Sequence, residues 1–142
     1  MAKTYQLIDT SFLYALYNHS DNQHRKTLTV AQSSGGTPLV PAVILPEVCY
    51  LFLRDTGHHG MVQFIKAFAA SGVAVVNVIN DDLKRAGDIA ERYKDAEFDF
   101  VDCCLMAIAE RLNIEDICTF DRRDFAIYRP QHCESLTLLP DF

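Results

Sequence analysis

The chain has 142 residues, 49% of them hydrophobic and 23% charged, with a formal net charge of −6. That length and balance describe one folded domain over residues 1–142 and exclude an intrinsically disordered or low-complexity protein. The acidic total excludes a protein that grips nucleic acid chiefly through a basic surface, but not an enzyme of nucleic acid, because catalytic carboxylates themselves subtract charge.

No apolar run reaches the roughly 18 to 20 residues that cross a bilayer, and the opening MAKTYQLIDT lacks a signal-peptide core. The expected location is the cytoplasm, with no membrane partner. Cys49, Cys103, Cys104, Cys118 and Cys133 form no C-x-x-C pair, so they read as reduced, mostly buried small hydrophobes.

Residues 5–8, YQLI, read as a short strand ending at Asp9, and Thr10 then opens a helix over SFLYALYN. SDNQHRKTLTVAQSS reads as an amphipathic helix with Ser20 as N-cap, broken at Gly35 and Gly36. PLVPA is strand-like. VILPEVCYLFLRDTG is a helix closed by Gly57, and MVQFIKAFAASG is another that ends in glycine. VAVVNV is the clearest strand by valine content. Asn80 is expected to cap a helix over DDLKRAGDIAERYKD. A mostly buried helix beginning near Asp99 follows, then the strands DICTF, ending at Asp121, and SLTLL. Short strands alternating with helices predict an α/β fold, three layers with a central, mainly parallel sheet.

Four acids stand where a core or a plain turn does not call for them. Asp9 and Asp121 each follow an apolar strand directly, and in an open α/β sheet the carboxyl ends of strands face the ligand crevice. Taken singly, each is equally well a cap or a turn residue. Glu47 falls at the edge of the apolar face of its helix, where it is expected to be partly buried; its plain reading is a first-turn acid favoured by the helix dipole. Asp102 sits among Leu105 and Met106, with Asp99 one turn earlier. A lone buried carboxylate costs several kcal/mol unless paired or protonated; the plain alternative is a capping box in which Asp99 is the cap. If all four converge, a hard divalent cation such as Mg²⁺ or Mn²⁺ relieves their repulsion through oxygen ligands.

With these acids in view, the chain resembles the PIN-domain ribonucleases, and among them the VapC-like toxins of bacterial toxin–antitoxin pairs. The matching stretches are LIDTSFLYAL with Asp9, ILPEVCYLFLR with Glu47, FVDCCLMAIAERLNI with Asp102 and ICTFDRRDF with Asp121. The resemblance implies a PIN-like α/β/α domain and an Mg²⁺- or Mn²⁺-dependent endoribonuclease that hydrolyses RNA by metal-activated water. It gives Asp9, Glu47, Asp102 and Asp121 as catalytic, with Asp9, Asp102 and Asp121 holding the metal. It also implies a protein antitoxin as partner and a homodimer.

Asp99 stands where such proteins often carry serine or threonine, so it is a cap, an outer ligand or a fifth acid; Asp124 is a further or loop-ordering acid. Thr10, Ser11 and Thr119 are candidate outer hydroxyls or ordinary caps. Asp21 and His24 resemble a recurring family pair that a surface helix explains equally well. Arg122 and Arg123 are the first candidates to contact RNA, with Arg54, Lys26 and Arg25 behind them, and a salt-bridge role is as reasonable for each. Two other classes remain open: an aspartate-based phosphatase or receiver-type phosphoryl-transfer domain, and a catalytically inactive PIN-fold binding module. The first lacks a second acid two residues after Asp9 and a lysine after ICTFD.

Overall fold

The structure is a computed structural model that describes residues 4–33 and 35–140. Its elements run in the order β1 (Tyr5–Ile8), α1 (Thr10–Tyr17), α2 (His24–Ser33), β2 (Thr37–Pro41), a 3-10 turn (Ala42–Ile44), α3 (Leu45–Ala70), β3 (Ala74–Val76), α4 (Asn80–Arg92), α5 (Phe100–Leu112), β4 (Asp116–Cys118), α6 (Arg123–Ile127) and β5 (Thr137–Leu139). The strands form one sheet in the order β3-β2-β1-β4-β5, and every neighbouring pair is parallel.

Parallel pairing demands a crossover between strands, and the helices supply it. They fall into two packed groups, α1 with α2 and α3, and α4 with α5 and α6, and so cover the sheet as the alternating pattern predicts. The chain steps outward from β1 to β2 and β3, then returns to place β4 on the other side of β1. Ligand crevices open where the strand order reverses in this way, at the carboxyl ends of the two strands concerned.

α5 is the axis of the core. Residues 102–109 are all buried, as expected of a helix apolar nearly all round. Leu105, Met106 and Ile108 are fully enclosed, and each contributes about 1.5 to 3 kcal/mol by leaving water. Asn113 ends the helix in the left-handed conformation that asparagine tolerates. α4 lies against α5, held by Arg85 on Glu110 at 2.7 Å and by Arg111 on the buried Asp82 at 2.8 Å. Tyr128 donates its hydroxyl to Glu110 as well, and Tyr14 donates to Asp55, which fastens α1 to α3.

Several boundaries differ from the sequence reading. α2 starts at His24, not Ser20, because Asp21 Oδ1 accepts the Gln23 N–H and turns the chain first. Residue 34, the end of that expected helix, lies outside the described residues. Gly57, with φ +78° and ψ −179°, interrupts α3, but a second helical stretch follows at once. The valine-rich strand shrinks to Ala74–Val76 at the sheet edge, with Ala74 and Val75 exposed. α4 is capped by Ile79, whose N–H is satisfied by Asp82 reaching back at 3.0 Å, so Asn80 is already helical. α6 was not foreseen. Cys103, Cys104 and Cys118 are buried, Cys49 and Cys133 partly so, and all five are free thiols.

Candidate active site

Asp9 is the residue after β1 and Thr119 the residue after β4, and the Ile8–Cys118 register sets the two strand ends side by side. The Asp9 N–H donates to the Cys118 carbonyl at 3.0 Å. Asp9 is only 4% exposed and is the N-cap of α1. Its Oδ1 accepts the Thr10 N–H at 2.7 Å and its Oδ2 accepts the Thr119 hydroxyl at 2.7 Å. Each carboxylate oxygen therefore spends one lone pair on the fold and keeps another for a ligand.

Thr119 is fully buried and its single hydroxyl proton cannot serve two acceptors. The charge-assisted bond to Asp9 takes it, and the same oxygen then receives the Asp121 N–H at 3.1 Å. Ser11 Oγ accepts the Phe120 N–H at 3.0 Å and fixes the other side of this loop. Thr119→Val keeps the volume but leaves both groups without their partner. The RNA cleavage that the resemblance implies is expected to drop roughly 10- to 100-fold, as for other partners that orient a ligand, while Thr119→Ser retains most of the rate in the same assay.

Asp102 enters from the first turn of α5, 8% exposed. Asp99 is the N-cap of that helix, its Oδ1 accepting the Asp102 N–H at 2.8 Å, so the capping half of the alternative reading holds for Asp99. The Asp102 carboxyl does not complete the box. It shares a hydrogen bond with Asp124, on the first turn of α6.

Burial pushes the Asp102 carboxyl far above the usual carboxylate range; the bond to Asp124 and the charges of Asp9, Asp99 and Asp124 push it further the same way. Burial likewise raises Asp9 from 3.8 to about 6, against the lowering effect of Thr119 and Thr10 and with added repulsion from Asp121 and Glu47. Asp9 and Asp102 therefore share one electrostatic environment with four further acids.

Glu47 differs from expectation in its exposure. It lies on the first turn of α3 at the rim, because the buried seam of that helix runs through Val48 and Phe52, one position away. Thr10 Oγ1 donates to its Oε1 at 2.8 Å and holds it toward Asp9. Asp121 is exposed in the loop after β4. Arg122 serves the fold, donating from Nε to the Thr119 carbonyl at 3.1 Å and from Nη2 to the Pro140 carbonyl. Arg123 contacts Asp124 at 3.0 Å with its side chain 63% exposed. Arg54 is paired with Asp55. His24 uses Nδ1 on the Ala15 carbonyl at 2.7 Å, which ties α2 to α1.

The donor set is all carboxylate and hydroxyl oxygen, which suits a hard cation such as Mg²⁺ or Mn²⁺ better than the nitrogen- and sulfur-seeking zinc or copper. Among the described residues no three His, Cys, Asp or Glu side chains are already closed into a metal-holding group. The fit therefore rests on donor chemistry and on the electrostatic stress at Asp9 and Asp102, which a divalent ion relieves.

Acids gathered where the strand order of a parallel sheet reverses are the setting of an α/β domain with its ligand site at the carboxyl edge of the sheet. The chain belongs to the PIN domain family, whose profile matches residues 7–129. Among its relatives are Ribonuclease VapC26 of Mycobacterium tuberculosis, 25% identical over 134 residues, 94% of this chain and 99% of that protein, and the 23S rRNA-specific endonuclease VapC20 of the same species, 27% identical over 114 residues, 80% of this chain and 87% of that one.

The crystal structure of VapC20, described as a Sarcin-Ricin loop cleaving toxin, superposes with a TM-score of 0.75 at 27% identity, covering 85% of this chain and 93% of that one. VapBC2 from Rickettsia felis, solved on a DNA fragment from its promoter, has the same fold with a TM-score of 0.68 at 14% identity, over 95% of this chain and 97% of that one. Family membership sets aside the phosphatase and receiver alternative.

Proposed function

We propose that the chain is a divalent-metal-dependent endoribonuclease and the toxin of a type II toxin–antitoxin pair, working in the cytoplasm. The observation that carries the reading is the meeting of Asp9 and Asp102, 93 residues apart in the numbering, in one buried, mutually repelling group at the carboxyl edge of the sheet. Asp9, Asp102 and Asp121 would hold the metal, with Asp124 the further acid its bond to Asp102 favours and Glu47 at the rim. Such an ion, Mg²⁺ or Mn²⁺, supplies Lewis acidity for activating water and neutralises charge at the phosphodiester. Thr119 and Thr10 orient Asp9, the Asp99 cap sets where Asp102 begins its helix, and Thr10 aims Glu47 inward.

Ribosomal RNA is the first substrate to try, since VapC20 is named for it. The protein partner is a small antitoxin that covers the acids, and the toxin itself pairs as a homodimer. The presence of all four acids favours this reading over an inactive binding module. Purified protein is expected to cut ribosomal RNA with Mn²⁺ or Mg²⁺ and to stop when EDTA is added. Cleavage that survives the chelator overturns the metal chemistry, and a binding module would cut nothing under either condition.

A further inference from the structure

A polyanion has to come to rest against carboxylates in a molecule of net charge −6, with Arg122 anchored to backbone carbonyls and Arg123 beside Asp124. With Arg122 already committed to backbone carbonyls and Arg123 shared with Asp124, a contact that does not depend on charge adds to the hold on RNA.

The rim supplies one. A groove of about 460 Å³ is lined by Thr10, Pro46, Glu47, Tyr50 and Leu51. Thr10 donates its hydroxyl to Glu47 and its N–H to Asp9, and Glu47 acts on the Asp9 charge, so the groove adjoins the acids. The other three lining residues are apolar or aromatic. Tyr50 follows Glu47 by three positions on α3, on the same side of the helix, and is 61% exposed. One turn on, Arg54 is neutralised by Asp55 at 2.7 Å. Glu47 repels a phosphate from this groove, whereas a flat, uncharged base finds an aromatic ring to lie on.

We propose that Tyr50 and its groove form a base-stacking subsite, which holds one unpaired nucleobase next to the phosphodiester presented to the acids. The inference rests on the nuclease reading and adds to it a positioning contact for single-stranded RNA. Stacking on an aromatic side chain tolerates any base, because every base offers a π face. Tyr50 thus fixes where along a strand the acids act more than which sequence they act on.

The chain contains no tryptophan, so Tyr50→Trp introduces a single indole emitter. Combined with Asp102→Asn to prevent turnover, it is titrated with short random-sequence single-stranded RNA and with the same RNA as a preformed duplex. Saturable quenching by the single strand and not by the duplex is expected. In cleavage assays with Mn²⁺, Tyr50→Ala raises KM roughly 5- to 140-fold, the range for one lost base–aromatic stack, with kcat little changed, and Tyr50→Phe restores it.

Absence of quenching overturns the subsite, as does a wild-type KM in Tyr50→Ala. So does a raised KM accompanied by a change in sedimenting mass, which assigns Tyr50 to a protein interface. Should the wild-type protein cut no RNA, the nuclease reading fails in its own assay, while the quenching titration still decides whether a base stacks here.

Discussion

Asp102→Asn should lower RNA cleavage by more than about 100-fold, beyond the 10- to 100-fold typical of residues that only orient a ligand. It should do so without weakening the fold. Asp102 is 8% exposed and faces Asp9, Asp99 and Asp124, so its ionised form is a burden on the folded state. Asparagine keeps the shape, removes the charge and offers an N–H to Asp124. In EDTA at pH 8 the variant should melt at or above the wild-type temperature.

Asp9→Asn provides the contrast. Asp9 accepts from both Thr10 and Thr119, and an amide has one acceptor oxygen where the carboxylate has two, so one of those bonds is lost. Cleavage should fall comparably and the melt should drop modestly. Cleavage and thermal melts of both variants check the pair; a wild-type rate in either removes that residue from the site, and a melt of Asp102→Asn several degrees below wild type makes its role structural.

The second large effect is on pH and metal together. Asp9 has a folded value near 6 against an ordinary 3.8, and Asp102 is displaced the same way. A carboxyl raised on folding binds its proton more tightly in the native state, so stability falls as pH rises from the unfolded value through the folded one. For Asp9 the fall lies between about pH 4 and 6 and amounts to about 3 kcal/mol; Asp102 extends it to higher pH.

A divalent ion competes with those protons. In EDTA, melting temperature should decline from pH 5 to pH 8; with Mn²⁺ the decline should be largely cancelled at pH 8 and little altered at pH 5, where protonated carboxyls bind metal poorly. Differential scanning calorimetry on one preparation at both pH values reads this directly. Equal stabilisation by Mn²⁺ at both pH values would place the ion away from these acids.

How much of this was legible in the sequence depends on how local each feature is. The strand β1 with Asp9 at its end, the helix α1 after it and the buried α5 with Asp99 at its cap are set by residues next to one another, and each emerged where its spacing placed it. The parallel sheet followed from alternation alone. What depended on distant partners did not emerge.

Valine content marked 73–78 as the clearest strand, yet β3 is a three-residue edge strand, because propensity says nothing of where in the sheet a segment lands. Asn80 looked like the cap of α4, but Asp82, paired with Arg111 some 29 residues on, also reaches back to Ile79. Glu47 was expected half inside and stands at the rim. Asp124 reads in the sequence as either a further acid or one that only orders the loop beyond Asp121. The five residues of α6 are too few to show a period, and that turn aims Asp124 at Asp102. Thr119 was one of three candidate hydroxyls; its central place appears only when β4 lies beside β1.

The bond from Thr119 to Asp9 spans 110 residues of chain, and it has a bearing on timing during synthesis. A nascent polypeptide that has emerged only as far as α5 already owns Asp9, Glu47 and Asp102 but lacks β4, the strand that brings Thr119 and Asp121 up to them. The acid group is therefore completed only once β4 has joined β1, so its assembly waits for a strand made more than a hundred residues after Asp9.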